Sequence, residues 1–244
     1  MPARVAVITG ATRGIGRALA RRLASRGVRI AAVYLSDAAA ASLLDAELTS
    51  AGVESMIVRC DVCDFVNLRK FGREVVSRFG RVDYLVNNVG VDIFKSVDAV
   101  SLDEWRRAQD VILNAPFVLT KELLPSMRQA HFGRVVMLGA SSRDYEKGAP
   151  GLGPFGVHKA ALKVLMRTLA LEEIQHGITV NMVAPGSTAE AGVLPEQERI
   201  PVSRIPLGRR VALSEVADAI DYFLADSAAA VTGQVLAVNG GMST

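Results

Sequence analysis

Residues 9–16 read TGATRGIG and set glycines at positions 10, 14 and 16. They follow a short apolar run and open a stretch of helical spacing, the setting in which backbone N–H groups can receive a phosphate. Gly10 permits the tight turn, Gly14 lets the main chain approach a pyrophosphate, and Gly16 lets the helix pack on the strand. Arg13, just before Gly14, offers a guanidinium fork to a further phosphate, or else is a solvated loop charge. Cys60 and Cys63 stand in RCDVCD, a C-x-x-C spacing that suits a redox pair or half of a zinc site. The sequence has no second pair, and His131, His158 and His176 lack ligand spacing to this one. The pair therefore reads as two ordinary thiols at a strand end, and no metal is expected.

These residues need a scaffold to hold them. RVAVITG, VRIAAVYL, SMIVRCD, VDYLVNN, GRVVMLGA, ITVNMVAP and GQVLAVNGG are near-continuous apolar runs, as strands buried on both faces of a parallel sheet require. Between them lie helix-like stretches such as GIGRALARRLASRG and HKAALKVLMRTLALEEIQHG. The second repeats apolar residues at Leu162, Leu165, Met166, Leu169 and Ala170 and stops at Gly177. The alanines at 38–41 read as a helix start. The alternation predicts an α/β fold, a Rossmann-type doubly wound seven-stranded parallel sheet, in a single domain over 1–244.

The 244 residues suffice for one sizeable core. A net charge of +3, scattered along the chain, gives no basic stripe, so neither nucleic acid nor a membrane surface is expected as a partner. No run approaches the roughly 20 apolar residues of a membrane span. The N-terminal segment lacks the long apolar stretch of a signal peptide. A soluble, cytoplasmic protein is expected.

Further landmarks follow in order: DV at 61–62, NNVG at 87–90, Lys159 on its helix, NMVAPG at 181–186, and PLGRR, EVAD and VTGQVLAVNGG toward the C-terminus. With the glycine turn, these resemble the short-chain dehydrogenase/reductase family over essentially the whole chain. The C-terminal stretch looks much like that of the family's bacterial 3-oxoacyl-[acyl carrier protein] and acetoacetyl-CoA reductases. The resemblance implies a dinucleotide cleft whose first wall is Gly10, Thr12, Arg13, Gly14, Ile15 and Gly16. Asp61 and Val62 would meet adenine, and Asn88, Gly90 and Lys159 the ribose. Pro185, Gly186 and Thr188 would close the cleft. An acid at the end of the second strand would bond the ribose hydroxyls of NAD and repel a 2′-phosphate. AVYLS at 32–36 holds none before Asp37, so NADP(H) is favoured over NAD(H).

The family reduces carbonyls with a Tyr that donates the proton, a Lys that lowers its pKa, a Ser that steadies the carbonyl oxygen and an Asn that holds a relay water. Lys159 stands at the Lys position. Phe155, four residues earlier, stands at the Tyr position, and a benzene ring has no proton to give. Aligned on Trp105 and Phe117, the Asn position falls on Ile112. Asn114 lies two residues on, nearly 200° round a helix. For the Ser, counting from the fifth apolar run reaches Ala140, and counting back from Phe155 reaches Ser142, with Ser141 between. Loop hydroxyls that cap local backbone are the alternative reading. Tyr145 and His158 are candidate replacement donors, although His158 points about 100° away from Lys159 round the helix.

The functional expectation is therefore divided. One reading is an auxiliary or low-activity subunit, assembled as a dimer or tetramer with itself or with an intact paralogue through helices near 105–130 and 159–176 and the last strand. The other is a working NADPH-dependent carbonyl reductase or alcohol dehydrogenase with a substitute proton donor, or a non-redox enzyme on the same scaffold. An acyl-thioester substrate is implied. Arg128, His131, Arg134 and His176 are candidate contacts for an acidic carrier, with ordinary surface charge the favoured reading. Val193, Leu194 and Ile200, in a lid over 186–206, are candidate contacts for an acyl chain.

Overall fold

The computed structural model describes residues 3–140, 148–189 and 200–242. Seven strands form one sheet: β1 Val5–Thr9, β2 Arg29–Tyr34, β3 Ser55–Arg59, β4 Tyr84–Asn87, β5 Gly133–Leu138, β6 Ile178–Pro185 and β7 Val235–Val238. Their order is β3-β2-β1-β4-β5-β6-β7, and every neighbouring pair is parallel. The helices are α1 Gly14–Ala24, α2 Ala38–Ser50, α3 Phe65–Phe79, α4 Leu102–Gln109, α5 Ala115–Gln129, α6 Gly153–Glu173 and α7 Leu213–Leu224.

The two-residue period of the strands divides the core. Ala6 and Ile8 of β1 face α1, α2 and α7, where Leu19, Leu23, Leu44, Leu48 and Ile220 pack. Val5 and Val7 face α3, α5 and α6, against Leu68, Phe71, Leu119, Leu123, Leu162 and Met166. The central strands are buried on both sides, which is why their sequences run apolar without alternation. Strand order reverses between β1 and β4, so a crevice opens beyond their carboxyl ends. Open parallel sheets place their ligands in such a crevice. Among the described residues, no helix is long and apolar enough to cross a membrane.

Two local features depart from the sequence expectation. First, α6 begins at Gly153, five residues before the stretch read as helical. Pro154 sits in its first turn, where a missing N–H costs nothing. Phe155 and Lys159 thus share one helix face, one turn apart. Leu165 and Leu169 are only half-buried, and the core row runs instead through Leu162, Met166 and Ala170. Second, the helix from 102 to 129 is interrupted by a π turn at Asp110–Asn114. Pro116 has no N–H for the carbonyl of Ile112, so an unbroken α ladder is impossible there.

Candidate dinucleotide and catalytic site

The glycine turn leaves β1 at the switch point. The N–H of Gly10 donates to the Val33 carbonyl at 2.9 Å, tying the turn to the end of β2. Gly10 has φ +68°, and a Cβ there would lie 2.9 Å from Val89 Cγ2. A Cβ on Gly16 would overlap the Gly10 carbonyl oxygen and come within 2.9 Å of Ala11 Cα. Gly14 starts α1 at φ +55°. Asn88, beyond β4, clamps the turn from the other side. Its Nδ2 donates to the carbonyls of Thr9 at 2.9 Å and Gly10 at 3.3 Å. The N–H groups of Asn88 and Val89 both donate to Thr9 Oγ1. The Asn88 amide therefore serves the cleft by fixing its wall. Thr12 is buried, Ile15 packs on the core, and Arg13 is exposed at the N-cap of α1. A cradle kept open by absent Cβ atoms at a helix N-terminus fits a dinucleotide pyrophosphate.

At the far end of the crevice, Asp61 follows β3. Burial opposes its ionisation, but the Cys63 N–H at 3.0 Å and Arg107 Nη1 at 3.1 Å outweigh it and hold the carboxyl below its usual value. Each carboxylate oxygen keeps acceptor capacity for a further donor such as an adenine amino group. Val62 beside it is buried. Burial, with help from Asp61, pushes the thiols of Cys60 and Cys63 up to about 11. Neither is a thiolate at neutral pH. Among the described residues no cluster of three metal-ligating side chains occurs.

The catalytic corner lies where β5 and α6 meet the loop after β4. Lys159 is buried, and its Nζ donates to the Leu138 carbonyl at 2.5 Å. Gly90 faces it, and a Cβ there would stand 3.8 Å from that nitrogen. Burial pushes the Lys159 ammonium down to about 8, opposed by the charge of exposed Asp92. Phe155 lies 5.8 Å from the Lys159 Nζ, measured to the ring centroid, and packs on Phe94 at 4.6 Å. An apolar aromatic pair thus stands beside the buried lysine.

Ile112 is buried in the core beneath this corner. Asn114 Nδ2 donates to Asp110 Oδ1 at 2.7 Å, along the π turn. His158 is also committed elsewhere. It is buried, its Nδ1 lies 2.6 Å from the Pro154 carbonyl, and its ring meets Trp105 edge-on at 4.8 Å. Burial lowers its pKa. Ser141, Ser142 and Tyr145 lie outside the described residues, whereas Ala140 follows β5 half-buried.

A charged group this deeply buried has a stability signature. The lysine pKa falls from 10.5 to about 8 on folding. Below pH 8 the native state carries the desolvated charge. Between 8 and 10.5 it sheds a proton that the unfolded chain keeps, so stability rises with pH through that window. Lys159→Met should therefore stabilise the protein by about 2 kcal/mol at pH 7, after the lost bond to Leu138 is counted. The gain should fall through this window and change sign before pH 10.5, where only the lost bond remains, as followed by urea unfolding across pH.

The last wall holds Pro185 at the end of β6, paired with Val238. Gly186 has a packing reason: a Cβ would lie 2.8 Å from Asn239 Cα. Thr188 forms a parallel bridge with Val211. Val193 and Leu194 lie outside the described residues, and the Ile200 carbonyl accepts from Arg210 Nη2. Of the basic residues read as ordinary surface charge or carrier contacts, Arg134 needs correction. Arg134 is buried, with its guanidinium over Phe132 and its Nη1 on the carbonyls of Gly133 and Gly177. Arg128 pairs with buried Glu173. Arg128, His131 and Arg134 also flank the start of β5, at the opposite end of the strands from the cleft.

A family model described as Enoyl-(Acyl carrier protein) reductase matches residues 10–243. The chain belongs to the short-chain dehydrogenase/reductase family. It is 32% identical over 242 residues to the 3-oxoacyl-[acyl-carrier-protein] reductase FabG of Escherichia coli, covering 98% of this chain and 97% of that one. Its fold matches a Serratia marcescens short-chain dehydrogenase/reductase mutant with TM-score 0.91 and 29% identity, covering 100% and 99% of the two chains. A blue fluorescent protein from a metagenomic library, solved in complex with NADPH, matches with TM-score 0.90 and 30% identity, again covering 100% and 99%.

The corner around Lys159 in this short-chain dehydrogenase/reductase chain is lined by Phe155 and Phe94. Sequence reading passed over Asp92 and Phe94, which border that corner, and Arg59 and Arg107, which border the adenine end. Only Arg59 carried a readable signal, its place at the end of an apolar run beside the acid-free end of β2.

Proposed function

We propose that this protein is a cytoplasmic, NADP(H)-dependent carbonyl reductase of low turnover, acting on 3-oxoacyl-thioester-like substrates within an oligomer. The reading rests on one contrast. The glycine cradle and the Lys159–Gly90 approach are complete, while Phe155 and Phe94 occupy the corner that should supply a proton. A dinucleotide bound there would supply hydride to a carbonyl carbon. The chain's own task is to bind it, exclude water and protonate the carbonyl oxygen, and the last is its weak point. Losing a general acid typically costs about 10²–10⁴ in rate, which leaves slow turnover. Calorimetric titration with NADPH and NADH checks this. NADPH should bind in the micromolar range and more tightly than NADH, and Arg13→Ala should weaken NADPH about tenfold or more. Failure to bind either would overturn the reading.

A second reading, an auxiliary subunit, is favoured by the surface. Phe117, Val164 and Leu171 stand exposed on α5 and α6, and Val235 and Leu236 on the edge strand β7. Apolar surface on two helices and an unpaired strand edge suits burial against a second copy or an intact paralogue.

A further inference from the structure

We infer that Arg59, at the carboxyl end of β3, is a second cation for the 2′-phosphate and sets the preference for NADP(H) over NAD(H). The inference rests on the dinucleotide reading above.

The strand register places Arg59 directly beside Tyr34, the last residue of β2. That is the point at which a ribose acid would stand in an NAD-binding chain. Arg59 is exposed, and its Nε donates to the Leu35 carbonyl at 3.1 Å, which lays the guanidinium along the segment leaving β2. Among the described residues its two Nη nitrogens have no hydrogen-bond partner, so the outer edge of the fork is available to an anion. The first acid after β2 is engaged elsewhere. Asp37 turns its Oδ1 to the Ala40 N–H at 2.9 Å and caps α2. Gly10 N–H binding to Val33 O draws the turn that carries Arg13 to this end of β2. Arg13 and Arg59 therefore approach the end of β2 from two sides, one from α1 and one from β3. Arginine forks on a dianionic phosphate give charge-assisted, geometrically selective contacts that a nucleotide lacking that phosphate cannot use.

The test is calorimetry of the full chain with NADPH and with NADH, on wild type, Arg59→Ala and Arg59→Gln. The glutamine side chain keeps an N–H for the Leu35 carbonyl without the charge, and circular dichroism verifies the fold of both variants. The expected result is NADPH affinity about tenfold weaker in each variant, NADH affinity unchanged, and a shallower salt dependence for NADPH. Unchanged NADPH binding in both variants overturns the inference alone. Equal weakening of NADPH and NADH also overturns it, because Arg59 would then act only through the loop it tethers. Wild type that binds neither nucleotide overturns the dinucleotide reading, and the inference with it.

Discussion

Replacing Gly16 by alanine is expected to destabilise the protein by about 3 kcal/mol and to abolish measurable NADPH binding. The new methyl group would overlap the Gly10 carbonyl oxygen and press on Ala11 Cα. Both are backbone atoms, which cannot swing aside as a flexible side chain would. The third neighbour, Asn88 Nδ2 at 2.9 Å, is itself the clamp on the turn. Overpacking of a tight site costs about 1–3 kcal/mol, and a collision with main chain belongs at the upper end. Relief requires that α1 move off β1, which widens the cradle and turns its N–H groups away from the pyrophosphate. Gly27→Ala is the control. Gly27 has φ +74° with nothing within 4 Å, so only conformational strain of about 1–2 kcal/mol is added. Its nucleotide affinity should stay at the wild-type value. Equal losses in the two variants, by urea unfolding and calorimetry, would contradict the collision.

Phe155→Tyr is the second. The added hydroxyl would extend from a ring already seated between Phe94 and Lys159. Lys159 can then donate to it, lower its pKa and make it a general acid. The rate constant for carbonyl reduction should rise roughly 10²-fold, within the usual range for this kind of catalysis. It should stop short of full activity while Ile112 holds the Asn position as a buried apolar side chain. The double substitution with Ile112→Asn should go further in rate at a cost in stability, since it places an amide in the core. Steady-state NADPH oxidation with acetoacetyl-CoA reads both. Full recovery by Phe155→Tyr alone would refute the alignment that puts Ile112 there.

Much of the fold is legible in the sequence because the signals are local. Each strand buried on both faces announces itself as an apolar run, and the glycines of the turn sit where chain geometry demands them. The four-residue spacing of Phe155 and Lys159 is equally plain from the order of residues along the chain. The start of α6 is not, because GAPGLGP reads as loop. Its last glycine, Gly153, is needed because a Cβ there would strike the Lys95 carbonyl oxygen from another segment. Arg134 reads as a surface charge, yet Phe132 and two carbonyls hold it inside. The π turn leaves only Pro116 as a trace. Asp92 and Phe94 border the site through tertiary packing, which a one-dimensional pattern does not encode.

The π turn divides one long rod into two segments that can open separately. α4 carries Trp105 over His158 and sends Arg107 to Asp61, so it spans the catalytic corner and the adenine end. Its own interior is slight, with Ala108 its one fully buried residue. α5 is anchored by Leu119, Leu123 and Met127. Amide exchange should therefore be fast in α4 and slow in α5, with the boundary at the π turn over Asp110–Asn114. A nucleotide seated against Asp61 would slow exchange along α4, a segment distant from it in the chain.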